Sequence, residues 1–238
     1  MTVFKIILII FIFYIIVYLW ANRIDIMVYD SFQPGPTVLI VGSTHGNEPA
    51  GTVAIQYIVA NRLFSIQNGR IIFIPKPNKL GYFLNVRYLP YRITNNDLNR
   101  NYPRTKDEFP KEPISSKICE IANHADFIID LHEGWGFHRL HPNSLGSGLY
   151  PGDTRFAVRL AYAAMENLNA SIPDAQKKFV VGVNSHPELN SLRSFCNLIK
   201  KNYILIETTG QNNIQPIELR RSQMIQFIRF VLTNLKMV

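Results

Sequence analysis

The pattern of apolar and polar positions divides the chain near residue 22. Val3 to Ala21 reads VFKIILIIFIFYIIVYLWA, with Lys5 its sole charge. About twenty apolar residues cross a bilayer, and Tyr14, Tyr18 and Trp20 are of the types that favour its interfaces. The exit, Tyr18-Leu19-Trp20-Ala21, has bulky side chains where a signal-peptide cleavage site needs small ones. Residues 1–22 are therefore expected to form an uncleaved, single-pass transmembrane anchor, with a cleaved signal peptide as the rival reading. Lys5 and Arg23 flank the span and nearly cancel, so no membrane side follows from charge.

Beyond residue 22 short apolar runs alternate with helical spacing. Strands are expected over 24–29, 37–41, 69–75, 126–134, 179–183 and 203–210, and helices over 51–63, 113–122, 156–168, 188–200 and 218–237. Two stretches break the alternation. Residues 75–103 read as a long irregular connection rich in tyrosine and arginine, and 135–153, rich in glycine and histidine, reads as a mobile flap. No internal repeat and no second boundary appear, so residues 23–238 are expected to be one α/β domain.

Composition narrows the picture. Of 238 residues 47% are hydrophobic and 18% charged, which supports a real core and excludes global disorder. The net charge is +8, yet no Lys/Arg run exceeds two residues, so a nucleic-acid groove is not expected. A site for an anionic substrate, or adhesion to anionic lipid, suits a scattered excess better. Cys119 and Cys196 both fall in apolar helical patterns and read as core thiols.

The candidate chemistry lies where expected strands end. His45-Gly46-Asn47-Glu48 follows the 37–41 run, and the C-terminal edge of a parallel sheet is where α/β proteins bind ligands. An imidazole and a carboxylate in this spacing can close on one cation, and catalytic zinc usually takes three protein ligands; alone, the pair is more often a surface turn. His132 ends the 126–134 run and could be a ligand or a core histidine. Glu207 follows an apolar run, where a carboxylate is expensive unless paired or used. Asn99-Arg100, inside the long connection, is a pair able to grip a carboxylate. His138 and His141 read as ordinary loop residues.

His45-Gly46-Asn47-Glu48, Asp97-Leu98-Asn99-Arg100, Asp130-Leu131-His132 and Ile206-Glu207 occur in the order and approximate spacing of the zinc carboxypeptidase superfamily. The chain most resembles its succinylglutamate desuccinylase/aspartoacylase branch, from about Thr37 to Gly210. The resemblance implies a three-layer α/β/α sandwich with a mixed, mostly parallel sheet and one zinc ion at its C-terminal edge. It implies His45, Glu48 and His132 as zinc ligands, Glu207 as the general base, and Asn99 and Arg100 as the clamp on a substrate carboxylate. Asp97 resembles the carboxylate that orients the first histidine. Arg92, seven residues before Asn99, stands where an arginine polarises the scissile carbonyl. Asn-Arg-Asn-Tyr-Pro reads more like the peptidase branch, and Tyr150 is the candidate for that branch's flap tyrosine. The implied activity is hydrolysis of an amide bond beside a free carboxylate, in a small peptide or an N-acyl amino acid. The alternative is a membrane-tethered, non-catalytic carboxylate-binding protein.

Overall fold

The computed structural model describes residues 3–182 and 188–238. Helix α1 (Val3–Asn22) is long and apolar enough to cross a membrane, and its side chains are largely exposed. The rest is built on a mixed seven-stranded sheet in the order β1-β3-β2-β4-β7-β5-β6. The strands are β1 (Met27–Asp30), β2 (Thr37–Gly42), β3 (Arg70–Ile74), β4 (Phe127–Gly134), β5 (Gly148–Pro151), β6 (Val180–Val181) and β7 (Asn202–Thr209).

The central strands β3, β2, β4 and β7 run parallel, which explains their continuous apolar runs. Every residue of β2 and β4 is buried. Alternate side chains serve opposite faces. Val38, Ile40, Phe127, Ile129 and Ile206 meet α2 (Ala50–Asn61), α5 (Arg155–Asn169) and α7 (Ile217–Asn234). Leu39, Val41, Ile128 and Leu205 meet α4 (Pro113–His124) and α6 (Leu192–Leu198). Burying one such aliphatic side chain contributes about 1.5–3 kcal/mol. The apolar positions of β4 therefore offset the cost of carrying Asp130, His132 and Glu133 inside the same strand. Cys119 and Cys196 are buried free thiols, as their patterns required.

Register places the chemistry. In the β4/β7 pair His132 stands opposite Glu207, and in the β2/β4 pair Gly42 stands opposite Leu131. The C-terminal ends of β2, β4 and β7 thus lie side by side, and the His45 turn leaves the first of them.

The structure differs from the sequence expectations at several elements. The connection after β3 contains a helix, α3 (Lys79–Leu84), opened by Asn78, whose Oδ1 accepts the Gly81 N–H at 3.0 Å, and closed by Asn85 at φ 53°. Six residues with a central glycine carry too little periodicity to announce it. The expected flap is partly sheet: β5 pairs antiparallel with β7, Gly148 opposite Glu207. The strand expected over 24–29 starts at Met27, and β6 covers only Val180–Val181; Val183 lies outside the described residues. The helix expected over 188–200 shortens to α6, because Ser191 caps it, its Oγ accepting the Ser194 N–H at 3.1 Å.

Candidate active site

The turn after β2 is tightly held. Ser43 takes φ 42°, a left-handed conformation that costs roughly 1–2 kcal/mol in a residue with a side chain. Its hydroxyl offsets this by donating to the Glu48 carbonyl at 2.8 Å, while Thr52 Oγ1 lies 2.7 Å from Ser43 Oγ and 2.6 Å from the Pro75 carbonyl. Gly46 packs against α3 so closely that a Cβ there would sit 2.0 Å from the Gly81 carbonyl carbon. His45 and Glu48 are thereby fixed between β2 and α3.

The Glu48 carboxylate lies between two imidazoles. His45 Nδ1 is 2.8 Å from Oε1, and His132 Nδ1 is 2.9 Å from Oε2. The far nitrogen of each ring has its own carboxylate: His45 Nε2 is 3.1 Å from Asp97 Oδ1, and His132 Nε2 is 3.2 Å from Asp130 Oδ1. A carboxylate hydrogen-bonded to the far nitrogen fixes the tautomer that turns Nδ1 inward, as Asp97 does for His45, whereas Asp130 faces His132 Nε2 as a charge without hydrogen-bond geometry. Tyr203 Oη donates to the second Asp130 oxygen at 2.8 Å, holding that backing group in place.

Among the described residues, ligand atoms of His45, Glu48 and His132 all lie within 4.8 Å of one another, and all three residues are buried. The charge around them favours a cation. Glu48, Asp97, Asp130 and Glu207 gather here; the Arg87 guanidinium lies among them, Nη1 3.2 Å from Glu48 and Nη2 3.1 Å from Asp97, and Arg100 and Arg193 line the same cavity. An uncompensated buried carboxylate costs several kcal/mol. Two nitrogens and a carboxylate are also a donor set that zinc takes at about 2.0–2.2 Å. The residues present therefore fit a single zinc ion.

The titratable groups respond to the same charges. Burial alone would raise the Glu48 carboxyl, but His45 and His132 outweigh it and hold it well below the usual range. Burial would lower the His132 imidazole, but Asp130 and Glu48 raise it strongly. Burial, reinforced by Glu48, pushes the Glu207 carboxyl up to about 8. Beside Glu48, Glu133 is paired with Arg220 and accepts the Ala50 N–H at 3.1 Å, so it neutralises a different cation.

These groups open on a cavity of about 290 Å³. Of the residues singled out in the sequence, it brings together His45, Glu48, His132, Glu207, Asn99, Arg100 and Tyr150. Asn99 Oδ1 accepts the Leu192 N–H at 2.9 Å, and Arg100 Nη1 donates to the Asn99 carbonyl at 2.9 Å. Tyr150 Oη donates to the Leu145 carbonyl at 3.1 Å, and burial first, then Glu207, raises its hydroxyl. Tyr150 thus sits on a sheet strand rather than on a free flap. His138 and His141 lie outside: His138 Nδ1 is 2.8 Å from the Ser144 carbonyl, and His141 packs on Trp135.

Arg92 is not brought to the cavity. Its Nη1 pairs with Glu112 at 3.0 Å and donates to the Lys111 carbonyl at 3.1 Å. The connection folds through α3 and a loop closed by Leu89 N–H on the Asn96 carbonyl at 2.8 Å, so counting seven residues back does not measure distance. Arg87 is the arginine that arrives. Two more residues were missed. Gln211 Nε2 is 3.2 Å from Glu48 Oε1 and 2.6 Å from the Glu133 carbonyl; its position just past β7 was the available signal. Arg193 lines the cavity and donates from Nε to the Pro151 carbonyl at 2.9 Å. It stands one residue after Leu192, inside an apolar helical stripe, where an arginine is conspicuous.

The chain is similar to known proteins in sequence and in fold. The chain is 30% identical over 101 residues to the N-alpha-acetyl-L-2,4-diaminobutyric acid deacetylase of Halomonas elongata, a stretch covering 42% of this chain and 29% of the relative. The product-bound structure of the cell shape determinant Csd4 from Helicobacter pylori superposes with a TM-score of 0.76 at 18% identity, over 91% of this chain and 56% of that one. A succinylglutamate desuccinylase from Silicibacter gives 0.66 at 22% identity, over 90% and 61%. The chain thus spans less than two thirds of each relative, and the structural likenesses speak to fold alone. Residues 34–228 match the family described as the succinylglutamate desuccinylase/aspartoacylase catalytic domain, and the chain belongs to that family.

Proposed function

We propose that residues 23–238 form a zinc-dependent hydrolase of an amide bond next to a free carboxylate, held at a membrane by residues 1–22 as a single-pass anchor. The observation that carries this reading is the meeting of His45 Nδ1 and His132 Nδ1 on one buried carboxylate, with Glu207 in register beside His132. His45, Glu48 and His132 would hold one zinc ion, and when bound zinc supplies Lewis acidity toward a carbonyl oxygen and toward water.

The chain's own residues divide the remaining work. Glu207 accepts a proton from the attacking water and returns it to the leaving amine nitrogen. Its carboxyl, raised to about 8 by burial and Glu48, would be drawn back toward working range by a zinc ion held on His45, Glu48 and His132, whose charge would offset both causes. Arg87 reaches the cavity from its perch on Glu48 and Asp97, beside the ligand set, and is the guanidinium we assign to negative charge building on the carbonyl oxygen. Asn99 and Arg100 engage the substrate carboxylate; Arg100 is free to do so because its contact with exposed Glu188, at 3.6 Å, is a weak surface pair. Asp97 and Asp130 position the two imidazoles.

The Halomonas relative is named for deacetylating an N-acyl amino acid, and an mDAP-bound form of Helicobacter Csd4 is described as a D,L-carboxypeptidase. Both substrate types join an amide to a nearby carboxylate. The test is hydrolysis by the purified chain of N-acyl amino acids, C-terminal peptides and peptidoglycan fragments, with and without a chelator. Turnover abolished by chelation and restored by zinc supports the reading. Bound zinc without turnover on any of these substrates contradicts it and leaves a carboxylate-binding protein.

A further inference from the structure

Helix α1 does not end on a free tether. Ala21 is buried, the Trp20 ring lies 6.0 Å from Lys79 Nζ, and Tyr91 Oη donates to Asn22 Oδ1 at 3.2 Å. The rings of Tyr18 and Tyr91 meet edge to face at 5.5 Å, and Lys79 Nζ pairs with Asp25 at 2.9 Å. Residues 23–26 alone separate α1 from β1. The end of the apolar helix is therefore seated against α3 and the loop that carries Tyr91.

The surface around that seat is apolar and exposed. Phe83 and Leu84 end α3, Val86 and Tyr88 follow, and Ile93 lies in the loop closed by Leu89 and Asn96. Phe83 is 77% exposed and Ile93 97%. The first four lie between Lys79 and Tyr91, the residues that contact α1 and its exit, and Ile93 follows Tyr91 by two residues. Exposed Arg23 and half-buried Lys76, whose Nζ lies 5.6 Å from the Tyr82 ring centre, add positive charge beside it.

A twenty-residue helix is about 30 Å long, the thickness of a hydrocarbon core. With α1 spanning, Trp20 to Asn22 reach the interface, and so does whatever they touch. We propose that the catalytic unit rests on the bilayer through this face, with Phe83, Leu84 and Ile93 set among the lipid headgroups and Arg23 and Lys76 facing anionic lipid. The inference rests on the anchoring reading of α1 given above. It also ties the membrane to the site. Arg87 lies between Val86 and Tyr88 in the same footing. Its carbonyl accepts from Asn78 Nδ2 at 3.1 Å and from the Gly46 N–H at 3.4 Å, and its guanidinium reaches Glu48.

The test uses the full chain in nanodiscs of zwitterionic lipid with an anionic fraction. A polarity-sensitive fluorophore is placed on Phe83→Cys or Ile93→Cys, with lipid-borne quenchers of two kinds, one near the headgroup for positions 83 and 93 and one near the end of the acyl chain for position 12. The parent chain, whose two cysteines are buried, gives the background. Ile12→Cys in α1 reports the anchor, and Tyr162→Cys on α5, in the opposite helical layer, reports water. At positions 83 and 93 the label loses about half its emission, as for a group lying roughly 5–10 Å into the interface, while position 162 keeps its own. If 83 and 93 behave like 162 while 12 is quenched, the anchor holds and the footing is overturned. If 12 also escapes quenching, anchor and footing both fall. Shielding of 83 and 93 that appears only with two chains per disc, without lipid quenching, assigns the face to a second copy and overturns the footing as well.

Discussion

Two stretches line the same cavity and hold their residues by different means. The ends of β4 and β7 deliver His132 and Glu207 through sheet register, and the short, tightly packed turn that leaves β2 sets His45 beside them, with β2 and β4 buried along their whole length. The connection from β3 to α4 delivers Arg87, Asn99 and Arg100 through turns, caps and ion pairs on a partly exposed surface. Register can move a side chain only by breaking a ladder. A turn can shift with one hydrogen bond. The strand ends therefore suit groups whose mutual positions must hold, and the connection suits groups that meet a variable substrate.

The largest effects should follow damage at the strand ends. Glu207→Gln should lower hydrolysis by about 10²–10⁴-fold, the usual worth of a positioned acid–base group, while leaving bound zinc in place. Steady-state rates with metal analysis of the same preparation decide this; an active variant removes Glu207 from its role. Arg87→Ala, in the connection, should cost about 10²–10³-fold in kcat/KM, and Arg92→Ala less than about threefold. Arg92→Ala should instead lose about 1–3 kcal/mol of stability in denaturant titration, because it orphans buried Glu112. Equal kinetic losses at both arginines would erase the distinction between them. A smaller effect is expected behind the ligands: Asp130→Asn should weaken zinc binding by roughly 10–100-fold in a competition titration with little change in fold.

Zinc removal sharpens the comparison through pH. In the metal-free chain Glu207 titrates at about 8 against 4.5 for an ordinary glutamate, so the folded state binds its proton more tightly than the unfolded state does. That contribution to stability is fully present below about pH 4.5 and is lost as pH rises through about 8, on the order of a few kcal/mol. Thermal melts of chelated protein should show this decline, and Glu207→Gln should flatten it. A chelated chain that gains stability over the same range would contradict the assignment.

The difference between the two stretches also explains what could be read from the sequence. Thr37–Gly42, Phe127–Gly134 and Asn202–Thr209 announce themselves as apolar runs, and a histidine or glutamate ending such a run is conspicuous because burial there needs a reason. Asn99 and Arg100 were legible as a dipeptide, although nothing local showed that Leu192 would hold Asn99. Arg87 and Arg92 could not be told apart, since their fates depend on α3 and on the Leu89–Asn96 closure, both tertiary outcomes. β5 was hidden in a glycine-rich stretch because its pairing partner, β7, lies over fifty residues away. Gln211 needed the sheet before its reach to Glu48 could be seen.

Metal content of the purified chain tests the central claim most directly. After dialysis against weak chelator, elemental analysis should find about one zinc per chain in the parent protein and in Glu207→Gln, and almost none in His132→Ala. Zinc retained in full by His132→Ala, or absent from the parent chain after zinc loading, would contradict the meeting of His45, Glu48 and His132 on a single ion.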